Sequence, residues 1–280
     1  MAELAVWQIY VMEYACLKDH PWVDFISGMY HDGTTNFPFS FVLAQCGDRN
    51  VLVDTGFMQE DHRSGFSLKF GIPTWISPVR MLREMKLAPE AITDIVITHA
   101  HFDHMGSIAE FPNAHIYIQK SELLSWYEAF ALPPRFAHLT TIVDPDNIRS
   151  ALDASIAHRV TLVDGDKNDV LPGIHVRLGS GHTIGHQFVV IETGAGRRVI
   201  SGDCVYSRRQ FTGHNNDGVY VPLNNAVGSV WEQLKTIDKM NDELGGDLAR
   251  LVVLHDTERW KGHTVVGEVE GFRIVKIGWS

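Results

Sequence analysis

The feature that most constrains this chain is Thr98-His99-Ala100-His101-Phe102-Asp103-His104, which directly follows the apolar run Asp94-Ile95-Val96-Ile97. A short β-branched run of that kind reads as a strand, so the four donor side chains lie on the loop at its C-terminal end. Imidazole and carboxylate are the N/O donors that suit zinc and its first-row neighbours. Four donors within the six residues 99–104 cannot all face one ion from an extended strand. On a tight loop, His99 and His101 can face one ion while Asp103 and His104 face a second.

Histidine is abundant, 15 residues in 280, which is about twice the usual share of roughly 2%. In a chain this rich, such a cluster arises by accident in on the order of a few per thousand sequences. An accidental cluster also predicts no donors at other strand ends, and here there are three. His182 follows the strand-like run 175–178, Asp203 ends Ile200-Ser201-Gly202-Asp203, and His255 closes Leu251-Val252-Val253-Leu254-His255.

With these residues in place, the sequence resembles the metallo-β-lactamase superfamily, whose pattern is HxHxDH followed by a His, an Asp and a final His, each after a strand. Val51-Leu52-Val53-Asp54-Thr55-Gly56 matches a further motif of that family, and the likeness covers roughly residues 38–256. It implies a four-layer αβ/βα sandwich with two mixed sheets flanked by helices. It also implies two divalent metal ions, zinc first and iron, manganese or cobalt as alternatives. His99, His101 and His182 would hold one ion, Asp103, His104 and His255 the other, and Asp203 would bridge them. Asp54 is expected to brace ligands rather than bind metal, and His186 to support the site from behind.

Asp203-Cys204-Val205-Tyr206 places a tyrosine three residues after the bridging aspartate. This looks like the N-acyl homoserine lactonase and 4-pyridoxolactonase branch. The resemblance implies hydrolysis of a cyclic ester, with a metal-bridging hydroxide as nucleophile. Tyr206 would hydrogen-bond the oxyanion, and Asp103 would protonate the leaving alkoxide. A thioesterase or other ester or amide hydrolase is the alternative within the superfamily. A mono-iron, persulfide dioxygenase-like oxidoreductase is the alternative from another class. Zinc β-lactamases of the commonest type use a cysteine where Asp203 stands, and diiron oxygen reductases carry Glu where His101 stands. A glutathione thioesterase calls for a basic patch after the last ligand, for which only Arg259 and Lys261 are candidates. The 78-residue gap from His104 to His182 and the 25 residues after His255 depart from a compact lactonase.

Composition narrows the partners. A formal charge of −10, with basic runs no longer than pairs such as Arg197-Arg198, speaks against nucleic acid. No run approaches the ~18 apolar residues a membrane span needs. The opening residues lack the pattern of a signal peptide, and Cys16, Cys46 and Cys204 show no CxxC spacing. A reduced, cytoplasmic setting and a small-molecule ester substrate are expected, with a homodimer left open.

No repeat or linker divides the chain, so 1–280 reads as a single domain. Strands are expected at 39–44, 50–54, 95–98, 115–119, 175–178, 187–192, 198–201 and 251–254. Helices are expected at 78–86, with Ser77 as cap, at 121–130, with Ser121 as cap, and at 229–241 on a stripe of Val230, Leu234, Ile237 and Met240. Such interspersed elements give an α/β class with sheets between helical layers. The stretches 55–77 and 206–228 lack periodicity and suit walls or lids of a site. Aromatic stretches at 22–25, 66–75 and 126–127 are candidates for an apolar pocket or for core.

Overall fold

The computed structural model describes residues 6–58, 71–72, 74–256 and 262–278. Its larger sheet contains β1 (Gln8–Pro21), β2 (Thr34–Cys46), β3 (Arg49–Val53), β4 (Thr74–Trp75), β5 (Asp94–Val96), β6 (His115–Gln119), β7 (Val160–Val163), β13 (Thr264–Val269) and β14 (Phe272–Ile277). The strand order is β13-β14-β1-β2-β3-β5-β6-β7, with β4 paired to β1. The smaller sheet is made of β8 (Lys167–Leu171), β9 (Ile174–Leu178), β10 (Gln187–Thr193), β11 (Gly196–Ile200) and β12 (Leu251–Val252), in the order β12-β11-β10-β9-β8. Helices α1 (Pro78–Glu84), α2 (Phe102–Met105), α3 (Lys120–Ala131), α4 (Pro145–Ile156), α5 (Arg209–Thr212) and α6 (Val230–Leu244) lie between strands.

The layering follows from strands that are apolar on both faces. Successive side chains of a strand point to opposite sides. In β2, Val42 and Ala44 join one core and Phe41 and Leu43 another. In β10, Val189 and Ile191 meet the larger sheet, while Phe188 and Val190 pack against Ile237, Met240 and Leu244 of α6. The central core therefore lies between two sheets, and each sheet turns its other face to helices. This is the four-layer sandwich expected from the sequence.

Local boundaries differ in instructive ways. The strand expected at 251–254 stops at Val252, because the chain must leave the sheet to reach the site. Ser77 and Ser121 make no side-chain capping bond, and α3 starts at Lys120 after Gln119. Ser229 does cap α6, forming a reciprocal capping box with Glu232. The buried stripe of α6 is Gln233, Thr236, Ile237, Met240 and Leu244, whereas Val230, in the first turn beside the cap, is exposed. Beyond His255, residues 272–277 do have a place: β14 pairs antiparallel with β1, from Ile9 opposite Ile277 to Met12 opposite Ile274. No helix among the described residues is long and apolar enough to cross a membrane.

Candidate active site

Four of the seven expected donors leave the larger sheet after β5, and three leave the smaller sheet after β9, β11 and β12. The loop after β5 is pinned by Asp54, which sits at the end of β3 with a left-handed φ of 62°. Its Oδ1 accepts the Thr98 backbone N–H at 2.7 Å, and its Oδ2 accepts the Thr98 hydroxyl at 2.9 Å. The following turn of α2 then carries Asp103 and His104 to a different side from His99 and His101.

Two clusters result, all of their residues buried. In the first, His101 Nδ1 lies 2.9 Å from His99 Nε2 and 3.0 Å from His182 Nε2. Asp203 Oδ2 completes it, 3.4 Å from His182 Nε2 and 3.8 Å from His99 Nε2. In the second, His104 Nε2 lies 3.2 Å from Asp103 Oδ2 and 3.1 Å from Asp203 Oδ1. His255 Nε2 joins it, 3.0 Å from Asp203 Oδ1. Within each cluster the donor atoms all lie within 4.8 Å of one another. Asp203 thus belongs to both, one oxygen to each.

The protons show that these donors suit a cation. His255 Nδ1 donates to the Pro38 carbonyl at 2.7 Å, and His104 Nδ1 donates to Asp54 Oδ2 at 2.7 Å. The Thr98 hydroxyl spends its proton on Asp54, so it accepts from His99 Nδ1 at 3.0 Å. All three rings are thereby fixed with Nε2 turned inward. His101 Nε2 and His182 Nδ1 are buried without a hydrogen-bond partner among the described residues. Burial holds His99 and His101 well below the usual histidine range and pushes His182 down to about 4, so these rings are neutral. His104 differs. Burial lowers its pKa, but Asp203, Asp103 and Asp54 outweigh that and raise it well above the ordinary value. Inward ring nitrogens converging with carboxylates, in two adjoining sets, fit two divalent ions.

Further groups hold these donors. His186 Nε2 accepts the Asp203 backbone N–H at 2.9 Å, and its Nδ1 faces Cys204 Sγ at 3.1 Å. The Tyr14 hydroxyl donates to the Asp103 carbonyl at 2.9 Å, and Phe37 stacks on His255 with centroids 4.3 Å apart. Glu122, fully buried in the first turn of α3, accepts from the Ala100 and Gly185 backbones and the Thr183 hydroxyl.

Beside the clusters lies a cavity of about 350 Å³ lined by Leu17, Phe25, Phe37, Phe39, Phe102 and Ile142, together with His20, Asp24, His101, Asp103, His182, Asp203, Tyr206 and Asn225. The Tyr206 hydroxyl donates to Asp203 Oδ2 at 3.0 Å. Burial, with Asp203 and Asp103 nearby, pushes its phenol well above the usual range.

The sequence candidates fall out unevenly. Phe25 lines the cavity, and Trp126 backs it, its ring centroid 5.9 Å from that of His101. Tyr127 points to solvent and Trp75 packs on Phe57. The 206–228 segment does wall the site, supplying Asn225 and a Val227 N–H that donates to the His182 carbonyl at 2.8 Å. Phe66, Phe70, His62, Arg259 and Lys261 lie outside the described residues. His20 pairs with Asp24 at 2.9 Å on the cavity wall, and their i,i+4 spacing is the sequence signal for it. Glu122, Tyr14 and Asn225 escaped sequence reasoning. An acid in a first helical turn looks like any solvated residue favoured there by the helix dipole.

Known proteins share this fold. An N-acyl homoserine lactonase of Bacillus thuringiensis is 25% identical over 207 residues, covering 70% of this chain and 74% of the relative. The crystal structure of a quorum-quenching N-acyl homoserine lactone lactonase superposes with a TM-score of 0.71 at 20% identity, covering 95% of this chain and 98% of the other. A dizinc quorum-quenching lactonase in complex with a product gives 0.68 at 19% identity, over 99% and 97% of the two chains. The sequence profile of the metallo-beta-lactamase superfamily extends over residues 33–249, and to that superfamily of metal-dependent hydrolases the chain belongs.

Proposed function

We propose that the chain is a dimetal hydrolase that opens a lactone, an N-acyl homoserine lactone being the first candidate. His99, His101 and His182 would hold one ion and Asp103, His104 and His255 the other, with Asp203 shared; zinc is the expected metal. When bound, two such ions supply a water of lowered pKa and Lewis-acid polarisation of an acyl carbonyl.

The observation that carries the reading is the Tyr206 hydroxyl, 3.0 Å from Asp203 Oδ2 on the wall of an apolar cavity. Its raised pKa keeps the phenol protonated, ready to donate to an oxyanion forming beside Asp203. Asp103 lines the same cavity and would return a proton to the leaving alkoxide. The phenylalanines around the cavity exclude water and suit an acyl or aromatic substituent. No Lys or Arg lines the cavity among the described residues. That favours a neutral lactone over β-lactams or glutathione thioesters, whose carboxylates call for a cation. Two complete clusters, rather than one, speak for a dimetal hydrolase over a mono-iron dioxygenase.

Since both clusters draw donors from both sheets, residues 1–280 would act as one domain. Few, widely spaced cysteines with no CxxC pair suit a reduced, cytoplasmic setting. Turnover of acyl homoserine lactones would make the protein a quorum-quenching enzyme. The test is metal quantification on purified protein joined to a pH-drop hydrolysis screen of acyl homoserine lactones, aromatic lactones, thioesters and β-lactams. Two ions per chain with lactone turnover are expected. One iron with oxygen uptake, or turnover confined to thioesters, would overturn the proposal.

A further inference from the structure

Asp54 braces a donor in each cluster, His104 directly and His99 through Thr98, but the other donors are held by different groups. For the second cluster, His104 is held by Asp54, His255 by the Pro38 carbonyl and Asp103 by Tyr14. For the first, the loop carrying His99 and His101 comes from the larger sheet and the loop carrying His182 from the smaller. One side chain outside the donor set, Glu122, hydrogen-bonds both loops. Glu122 Oε1 accepts the Ala100 N–H at 2.8 Å, between His99 and His101. Its Oε2 accepts the Thr183 hydroxyl at 2.7 Å and the Gly185 N–H at 3.0 Å, immediately beyond His182. Oε1 also accepts Trp126 Nε1–H at 2.7 Å, from the ring packed near His101.

The fit leaves no slack. A Cβ on Gly185 would lie 2.1 Å from the Glu122 backbone nitrogen, so only glycine lets that loop reach the start of α3. Neither oxygen of Glu122 faces His104 or His255, and none of its four donors belongs to a residue of the second cluster.

We infer that Glu122 is a positioning residue for one metal position only, a clasp that sets the His99–His101–His182 triad without acting on the Asp103–His104–His255 set. The inference rests on the dimetal reading above. Glu122→Gln is the discriminating change, because an amide keeps one acceptor oxygen and offers an N–H₂ where an acceptor is needed. One loop stays attached and the other is released.

The test measures zinc affinity by competition with a chromophoric chelator, using Glu122→Gln in two backgrounds. In His255→Ala, which leaves the His99–His101–His182 position intact, Glu122→Gln is expected to weaken zinc at least about tenfold, as loss of a ligand-orienting group does. In His182→Ala, which leaves the other position, the same change should alter zinc affinity by less than about twofold, as expected for a residue that hydrogen-bonds none of that position's donors. Equal weakening in both backgrounds would mean a general structural role and overturn the inference, as would no weakening in either. Near-UV circular dichroism checks that each variant is folded. Glu122→Asp in the His255→Ala background, with a shorter side chain of the same charge, should restore part of the lost affinity. If the unmutated chain itself failed to bind two ions, the dimetal reading would fall. If it bound two and the backgrounds did not differ, only the clasp would fall.

Discussion

The Tyr206 hydroxyl reaches Asp203 on Oδ2, the oxygen turned toward His182, and leaves Oδ1 to His104 and His255. The phenol is therefore tied to one side of the shared carboxylate. Tyr206→Phe should lower kcat for lactones by about 10²-fold, the scale for losing one oxyanion donor. Metal content and KM should change little. Asp203→Asn should abolish turnover and reduce metal content together. Undiminished kcat in Tyr206→Phe would remove the tyrosine from the chemistry while leaving the clusters untouched.

Asp54 holds His104 directly and His99 through Thr98, so its effect should extend to both clusters. Asp54→Ala is expected to weaken metal binding by about 10–100-fold at each position. Titration of the variant with zinc provides the check, and an effect confined to one position would contradict the geometry.

Acid should destabilise the metal-free chain. His182 titrates near 4 in the fold against an ordinary 6.5, because burial disfavours its charged form. Above pH 6.5 it is neutral whether folded or not. As pH falls from 6.5 through 4, the unfolded chain takes up the proton first and native stability is lost, on the order of 3 kcal/mol from this residue. His99, His101 and His186 add in the same direction. His104, whose pKa is raised, acts oppositely: its stabilisation is present in acid and lost as pH rises through its raised value. Urea unfolding of chelator-treated protein from pH 7 to pH 4 should show the decline. A curve that rises toward acid would refute the assignment of neutral rings.

Adding metal should reverse this. Zinc at 100 times its dissociation constant stabilises the native state by about 2.7 kcal/mol per site, so the melting temperature should climb by several degrees. Uptake must also displace the proton on His104, and affinity should therefore tighten with rising pH. Calorimetry in buffers of different ionisation enthalpy would report that proton.

Gly202, with φ of 53°, precedes the shared aspartate, and a Cβ there would lie 2.7 Å from the His186 ring and 2.9 Å from Thr98 Cβ. Gly202→Ala should cost about 1–3 kcal/mol and displace Asp203 as well. Loss of stability with full metal occupancy would show that the aspartate tolerates the shift.

The seven donors were legible in the sequence because each stands at the end of an apolar run, where a sheet delivers side chains to one edge. The strand pattern by itself reached an α/β class with sheets between helical layers, and the family resemblance implied the four-layer sandwich. What stayed hidden depends on contacts between distant segments. Glu122 matters only because Ala100 and Gly185 come to it, and nothing in Ser121-Glu122-Leu123 announces that. The strand β1 was missed because its register is set by β2 on one side and β14, more than 250 residues later, on the other. Val230 was placed on the buried face of α6 by spacing alone, and the cap at Ser229 turned it outward.

Each cluster takes two donors from the larger sheet and two from the smaller, Asp203 being counted in both. Neither layer owns a complete set. The centre is therefore a vernier for the alignment of the sandwich. A core substitution that slid one sheet past the other by an ångström could leave the apolar packing nearly intact and still pull every donor set out of true. Loss of metal would then be an earlier sign of damage in the central core than loss of fold.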